Sequence, residues 1–394
     1  MGSIAQKSAL IICGDYMEDY EVILPFFVLQ SLGVRVDTVS PSKQSGDKLF
    51  TAVHDYMGFE LYTEVQGHFF TLNANFNGVN PESYDSLIIP GGRFTELLSA
   101  DDKVVSLVKK YAATGKPIAT SCHSQIMLIA AGLLNGKKCT AFTSLKPLIE
   151  LAGGTWWEQP GIESPLDITA CLKDGNLISS IGWPGHGEYM RVLLESMGAK
   201  ISSPGQKSVL VLFADYVEDY EIHVPFRALQ GFGCKVDAVC PSKKRGESCV
   251  TAIHDNEGAQ ICSEKRGHNF IATANWDAIS ADQYDCLVLP GGRSPELLVI
   301  NEKAISLVKD FVEKDKVIAA IGEGKWILAA VNALKGKRCA SGHGMKAAVK
   351  VAGGEVVETL GSVTHGKLVT ASGWSALPAF LTELSNALGL SVVF

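Results

Sequence analysis

Short unbroken apolar runs closed by glycine or proline recur along this chain, and between them lie stretches in which apolar residues return every three or four positions. Ser8–Cys13 stops at Gly14 and Ser86–Ile89 stops at Pro90, the pattern of strands buried on both faces. Val34–Val39 alternates as a further strand, and Lys138–Phe142, Ile168–Leu172 and Leu177–Ile181 read the same way. Helical spacing runs through Val22–Leu32, Asp102–Ala112, Ser144–Leu151 and Glu188–Met197, with Pro25 tolerable in the first turn of its helix. Asp15–Glu21 forms an acidic turn and Pro41–Lys48 a polar loop. Strands alternating with helices predict parallel βαβ units and a doubly wound α/β sheet flanked by helices.

One break in this pattern carries chemistry. The apolar run from Pro117 halts at Ser121-Cys122-His123 and resumes at helical spacing, which predicts strand, sharp turn and helix. A cysteine at such a turn faces the free N–H groups of a helix start, where the dipole favours the thiolate and populates the reactive form near neutral pH. The competing reading is a small residue that closes a core strand, since cysteine is often buried for packing alone.

The whole pattern then repeats at an interval of 200 residues. Asp15-Tyr-Met-Glu-Asp-Tyr-Glu21 returns as Asp215-Tyr-Val-Glu-Asp-Tyr-Glu221, Pro90-Gly-Gly-Arg93 as Pro290-Gly-Gly-Arg293, and Ala152-Gly-Gly154 as Ala352-Gly-Gly354. Two tandem domains follow, residues 1–202 and 206–394, joined at the polar Ser202–Gln206. The copies differ at the turn: Ser121-Cys122-His123-Ser124-Gln125 faces Ile321-Gly322-Glu323-Gly324-Lys325. The second copy lacks both thiol and imidazole, so it is expected to fold yet be chemically silent.

Composition narrows the class. With 394 residues, 46% of them hydrophobic and 20% charged, the chain can bury two substantial cores. Its net charge of −7, with both signs interspersed, gives no basic surface for nucleic acid or an anionic membrane. No basic-then-apolar leader opens the chain, no apolar run approaches the roughly 18 residues that span a bilayer, and Gln6 stands where a myristoylation motif needs Ser or Thr. Ten cysteines scattered singly, with no C-x-x-C and no zinc spacing, predict reduced thiols in the cytoplasm, with the nucleus as the other compartment.

Ala119-x-x-Cys122-His123, the Glu21-Val-Ile-Leu-Pro25 segment and Pro90-Gly-Gly-Arg-x-x-Glu96 together resemble the DJ-1/PfpI superfamily, and the duplication resembles its tandem plant-type branch. The resemblance spans essentially the whole chain, one family domain per half. It implies flavodoxin-like domains, as in class I glutamine amidotransferases, and a nucleophile elbow at Cys122 with Glu21 against the sulfur. It also implies family activities that include glutathione-independent glyoxalase, deglycase and intracellular peptidase, besides chaperone or redox-sensing roles. Departures from the family pattern are Phe94-Thr95 for Ala-Pro, Ser124 for Gly, and the lost second elbow.

The candidate catalytic residues are therefore Cys122, Glu21 and His123. A carboxyl group kept neutral by burial can share a proton with sulfur and later act as acid or base. Glu96, Gly91, Gly92 and His186 are candidates for binding substrate, the glycines as backbone donors to a developing oxyanion. His54 and His68 recur as His254 and His268 in the copy without a thiol and read as structural. A small 2-oxoaldehyde such as methylglyoxal suits this set, with no metal and no other cofactor. Two further classes remain, a redox-responsive stress protein whose Cys122 oxidises and a Cys-His peptidase. Duplicated apolar faces predict a pseudo-dimer that assembles into a homo-oligomer.

Overall fold

A computed structural model describes residues 6–55, 63–255 and 263–394. The chain divides between Lys200 and Ile201 into two units. In the first, six strands order as Cys171–Asp174, Leu177–Ser180, Ile118–Ser121, Ser86–Ile89, Ser8–Ile12 and Arg35–Val39. Every neighbouring pair is parallel except the Cys171–Asp174/Leu177–Ser180 hairpin at one edge. The four central strands are unbroken apolar or small-residue runs, and all their residues are buried, as a sheet covered on both faces requires. The second unit repeats this order from Lys235–Val239 to Ser362–His365. Each unit is thus a doubly wound α/β domain of the flavodoxin-like type. Among the described residues no helix is long and apolar enough to cross a membrane.

Several elements differ from the sequence reading. The first helix is Asp19–Ser31 and starts within the acidic turn, because the Glu18 carboxylate caps it by accepting from the Glu21 N–H at 2.8 Å. Pro25 consequently lies inside the helix rather than in its first turn. The polar loop gives way at Lys48 to a strand, Lys48–Val53, which pairs with Met17–Glu18 and with Val65–Thr71 in a small second sheet. The strand expected over Ile168–Leu172 forms instead at Cys171–Asp174, after a short turn of helix at Pro165–Asp167. Lys138–Phe142 contributes only Lys138–Cys139, paired with Thr155–Trp156 outside the main sheet.

Candidate active site

The strand Ile118–Ser121 ends at the C-terminal edge of the sheet, and the chain turns at once into Cys122–Ser124 and the helix Gln125–Ala130. Cys122 makes that turn with φ of 54°, in the left-handed region that costs a side-chain-bearing residue roughly 1–2 kcal/mol. Gly322 occupies the same conformation, φ 47°, without that cost. Of the two elbows, only the one that carries the thiol bears this strain. Ser124 stabilises the turn: its hydroxyl accepts from the Ser121 N–H at 2.7 Å and donates to the Ser121 carbonyl at 2.6 Å. Thr95 braces it from the neighbouring loop, its hydroxyl lying 2.9 Å from the Gly92 carbonyl and 3.4 Å from that of His123. Phe94 packs where a side chain on Gly14 would collide with it. Two departures from the family pattern, Ser124 and Thr95, are thus the residues that fix the elbow.

Glu21 reaches the elbow from the first helix. Its Oε2 accepts the Gly91 N–H at 2.7 Å, and a Cβ placed on Gly91 would touch both Cys122 Cβ and Glu21 Oε2, so only glycine lets the carboxyl group and the cysteine close on each other. Burial, followed by the charge of Glu18, raises the Glu21 pKa to about 8; hydrogen bonds from Gly91, the Ser121 hydroxyl and the Trp183 N–H pull the other way. Glu21 is therefore mostly protonated at neutral pH and poised to exchange its proton. His123 places Nδ1 3.2 Å from Cys122 Sγ and stacks on Phe142, ring centroids 5.4 Å apart. Burial lowers its pKa to about 4, so the imidazole is neutral.

The thiolate expected at neutral pH is not the resting form. Burial, then the carboxylates of Glu21 and Glu18, hold the Cys122 pKa well above that of a free thiol. The backbone N–H groups of His123 and Gly92 do face the sulfur and pull in the opposite direction, as the helix-start argument requires, but desolvation outweighs them. The elbow stores a thiol, beside donors that can receive negative charge once it forms. Gly92, at φ 100°, supplies one of them, whereas the Gly91 N–H is already taken by Glu21.

Cys122 and Glu21 border a small pocket lined also by Glu18, His54, Phe142, Gly182 and Trp183; His123, Gly91 and Gly92 are not among its lining residues. Glu96 and His186 are not among its walls. Glu96 is exposed and paired with Arg93 at 3.6 Å. His186 is wholly buried behind the elbow, its Nε2 3.1 Å from the Ser121 hydroxyl and its ring stacked on Tyr189. It supports Ser121 rather than facing the cavity. His54, read as structural, does line it, with Nε2 3.0 Å from Glu64 and its carbonyl accepting from Trp183 Nε1. His68 lies apart from the cavity, buried and 2.7 Å from Asp19. Sequence reasoning passed over Glu18, Phe142 and Trp183; recurrence of Glu18 as Glu218 and of Trp183 as Trp374, each ring set edge-on to a tyrosine, was the available signal.

The second unit keeps the scaffold and fills the site. Glu221 bonds the Gly291 N–H at 2.7 Å as Glu21 does Gly91. Glu323, in the place of His123, folds back so that its Oε2 takes the Gly292 N–H at 3.2 Å. Lys325 is buried beside both carboxylates, its ammonium 2.6 Å from the Ala371 carbonyl, and burial brings its pKa down to about 8.

A strained cysteine elbow at the edge of a doubly wound sheet, with a buried protonated glutamate against it, defines a class of cysteine-centred α/β domains. The DJ-1/PfpI family model matches residues 7–196 and again 207–387, and the chain belongs to that family. It is 63% identical to DJ-1 protein homolog E and 61% identical to DJ-1 protein homolog F of Arabidopsis thaliana, in both cases over the full length of the two chains. A protein of Thermococcus kodakarensis named as a deglycase is 30% identical over 173 residues, which are 43% of this chain and 87% of that one.

Proposed function

We propose that the first domain is a glutathione-independent glyoxalase that converts methylglyoxal or glyoxal to the 2-hydroxy acid, and that Cys122 is its nucleophile. The observation that carries this reading is that Cys122 and Glu21 border the same small pocket while the His123 and Gly92 N–H groups face the Cys122 sulfur. The thiol adds to the aldehyde carbon while His123 Nδ1 accepts its proton and returns it to the carbonyl oxygen, giving a hemithioacetal. Ionised Glu21 removes the proton from C1, the resulting enediolate leans on the Gly92 and His123 N–H groups, and Glu21 returns the proton to C2. Water then opens the thioester to release the acid and the thiol. The deglycase name of the archaeal relative points to carbonyl chemistry of the same kind. Oxidation of Cys122 in a redox-sensing role is the second reading, favoured by the same two N–H groups, which would hold an oxidised, anionic sulfur.

The test is formation of lactate from methylglyoxal by the intact chain with no thiol added. Accumulation over many turnovers supports the enzyme; no lactate between pH 6 and 9 removes it and leaves the redox reading.

A further inference from the structure

One short strand ends differently in the two domains. In the second, Arg338–Ser341 stays paired in parallel with Glu355–Glu358 over all four residues. In the first, pairing stops at Lys138–Cys139, and the chain bends away so that Phe142, just before the turn Thr143–Leu145, reaches the Cys122 elbow. There its N–H donates to the Cys122 carbonyl at 3.2 Å, and its buried ring lies on the His123 imidazole, planes 23° apart and centroids 5.4 Å apart. The same residue lines the pocket that Cys122 and Glu21 border. At the interval of 200 residues Phe142 answers to Gly342, as Cys122 answers to Gly322 and His123 to Glu323. Thiol, imidazole and phenyl ring are thus present together in one copy and missing together from the other, whereas neighbouring Cys139 and Ala152-Gly-Gly154 recur as Cys339 and Ala352-Gly-Gly354. The fold itself does not need the phenyl group.

We propose that Phe142 is the positioning residue of His123: its ring holds the imidazole in the plane that keeps Nδ1 on the Cys122 sulfur, and its N–H ties that ring to the elbow itself. The torsion that turns an imidazole about its Cβ–Cγ bond is broad, and a tilt of the ring carries Nδ1 off its 3.2 Å contact with Sγ. A phenyl face packed on the imidazole narrows that torsion. The bond from the Phe142 N–H to the Cys122 carbonyl then fixes both rings relative to the sulfur. The stack also keeps water from the imidazole. Burial is what brings the His123 pKa down to about 4, with His54 and Arg93 acting in the same sense and Glu96 and Glu64 against it, so the ring stays neutral and able to accept a proton. The role depends on the reading above at one point, that Nδ1 takes the thiol proton.

The test is a double-mutant cycle on the rate at which iodoacetamide alkylates Cys122 in the intact chain, followed by the mass of the Cys122 peptide. In that reaction sulfur bonds the methylene carbon, iodide leaves and the thiol proton goes to His123. Phe142→Leu keeps apolar bulk without a ring plane and should slow alkylation at neutral pH by about fivefold or more, while Phe142→Tyr, which keeps the plane, should restore the rate to within about twofold. In a His123→Gln background Phe142→Leu should change the rate by no more than about twofold, because the group it positions is gone. Circular dichroism checks each fold, and Phe142→Met, equally without a ring, replaces Phe142→Leu if that chain unfolds. Equal slowing in both backgrounds would overturn the proposal, as would a Phe142→Leu chain that reacts at the wild-type rate or a Phe142→Tyr chain as slow as Phe142→Leu. The cycle needs no turnover: absence of lactate from the wild type removes the glyoxalase reading and leaves the alkylation rates to decide this one, whereas lactate formation alongside additive Phe142 and His123 effects does the reverse.

Discussion

Glu323 Oε2 accepts a hydrogen bond from the Gly292 N–H at 3.2 Å, and the counterpart of that N–H in the first domain, Gly92, faces the Cys122 sulfur. The second domain has placed its own carboxylate where the first keeps a donor free to face the sulfur. A thiol placed at Gly322 would meet the buried Glu221 and the half-buried Glu323, and would lack the adjacent imidazole that His123 gives Cys122. Gly322→Cys in a Cys122→Ser background should therefore form no lactate from methylglyoxal; recovery to even a tenth of wild-type turnover would show that the filled donor is not what silences this half.

The elbow strain predicts an inversion of the usual glycine penalty. Cys122→Gly should be more stable than Cys122→Ala by about 1 kcal/mol in urea unfolding, because glycine adopts the left-handed turn freely. Gly322→Ala should lose a similar amount. Equal stability of the two Cys122 variants would mean that the turn is not strained.

Much of this was legible in the sequence, for definite reasons. Ser8–Ile12, Ser86–Ile89 and Leu177–Ser180 are buried on both faces, so their apolar runs announce them, and the internal repeat shows by inspection that the chain holds two copies of one domain. The Lys48–Val53 strand is not announced by the sequence because Lys48 and Phe50 face solvent, which breaks its apolar run, and its pairing with Met17–Glu18 is long-range. Glu21 and Cys122 stand 101 positions apart, and only the resemblance joined them before the Gly91 contact did. The protonation state was misread for a physical reason: spacing reveals the N–H groups at an elbow, but not how completely the fold removes water from the sulfur.

The pH dependence follows from Glu21. The pair must lose one proton before Glu21 can accept the C1 proton, so turnover should rise about tenfold per pH unit below a midpoint near 8 and level off above it. The same group shapes stability. Folded Glu21 holds its proton up to about pH 8 and the unfolded chain releases it near 4.5, so its contribution is fully present below 4.5 and is lost as pH rises through 8. Thermal unfolding of Glu21→Gln should gain on the wild type across that window; a pH-independent difference would contradict the raised value.

Ser121 is predicted to tune that midpoint. Its hydroxyl stabilises the ionised form of Glu21 and lies 3.1 Å from His186 Nε2. Ser121→Ala should move the midpoint of the rate profile upward by about half a unit to one unit while the plateau stays within a few-fold. A downward shift would show that the hydroxyl serves the protonated carboxyl instead.

The central claim is that Cys122 forms the covalent intermediate and Glu21 moves the proton. Its most direct measurement is lactate formation from methylglyoxal, without glutathione, by the wild type, Cys122→Ser and Glu21→Gln at pH 8, with folding checked by circular dichroism. The account predicts multiple turnovers for the wild type, none for Cys122→Ser, and a loss of at least a hundredfold for Glu21→Gln. Turnover by a folded Cys122→Ser chain at the wild-type rate would contradict it.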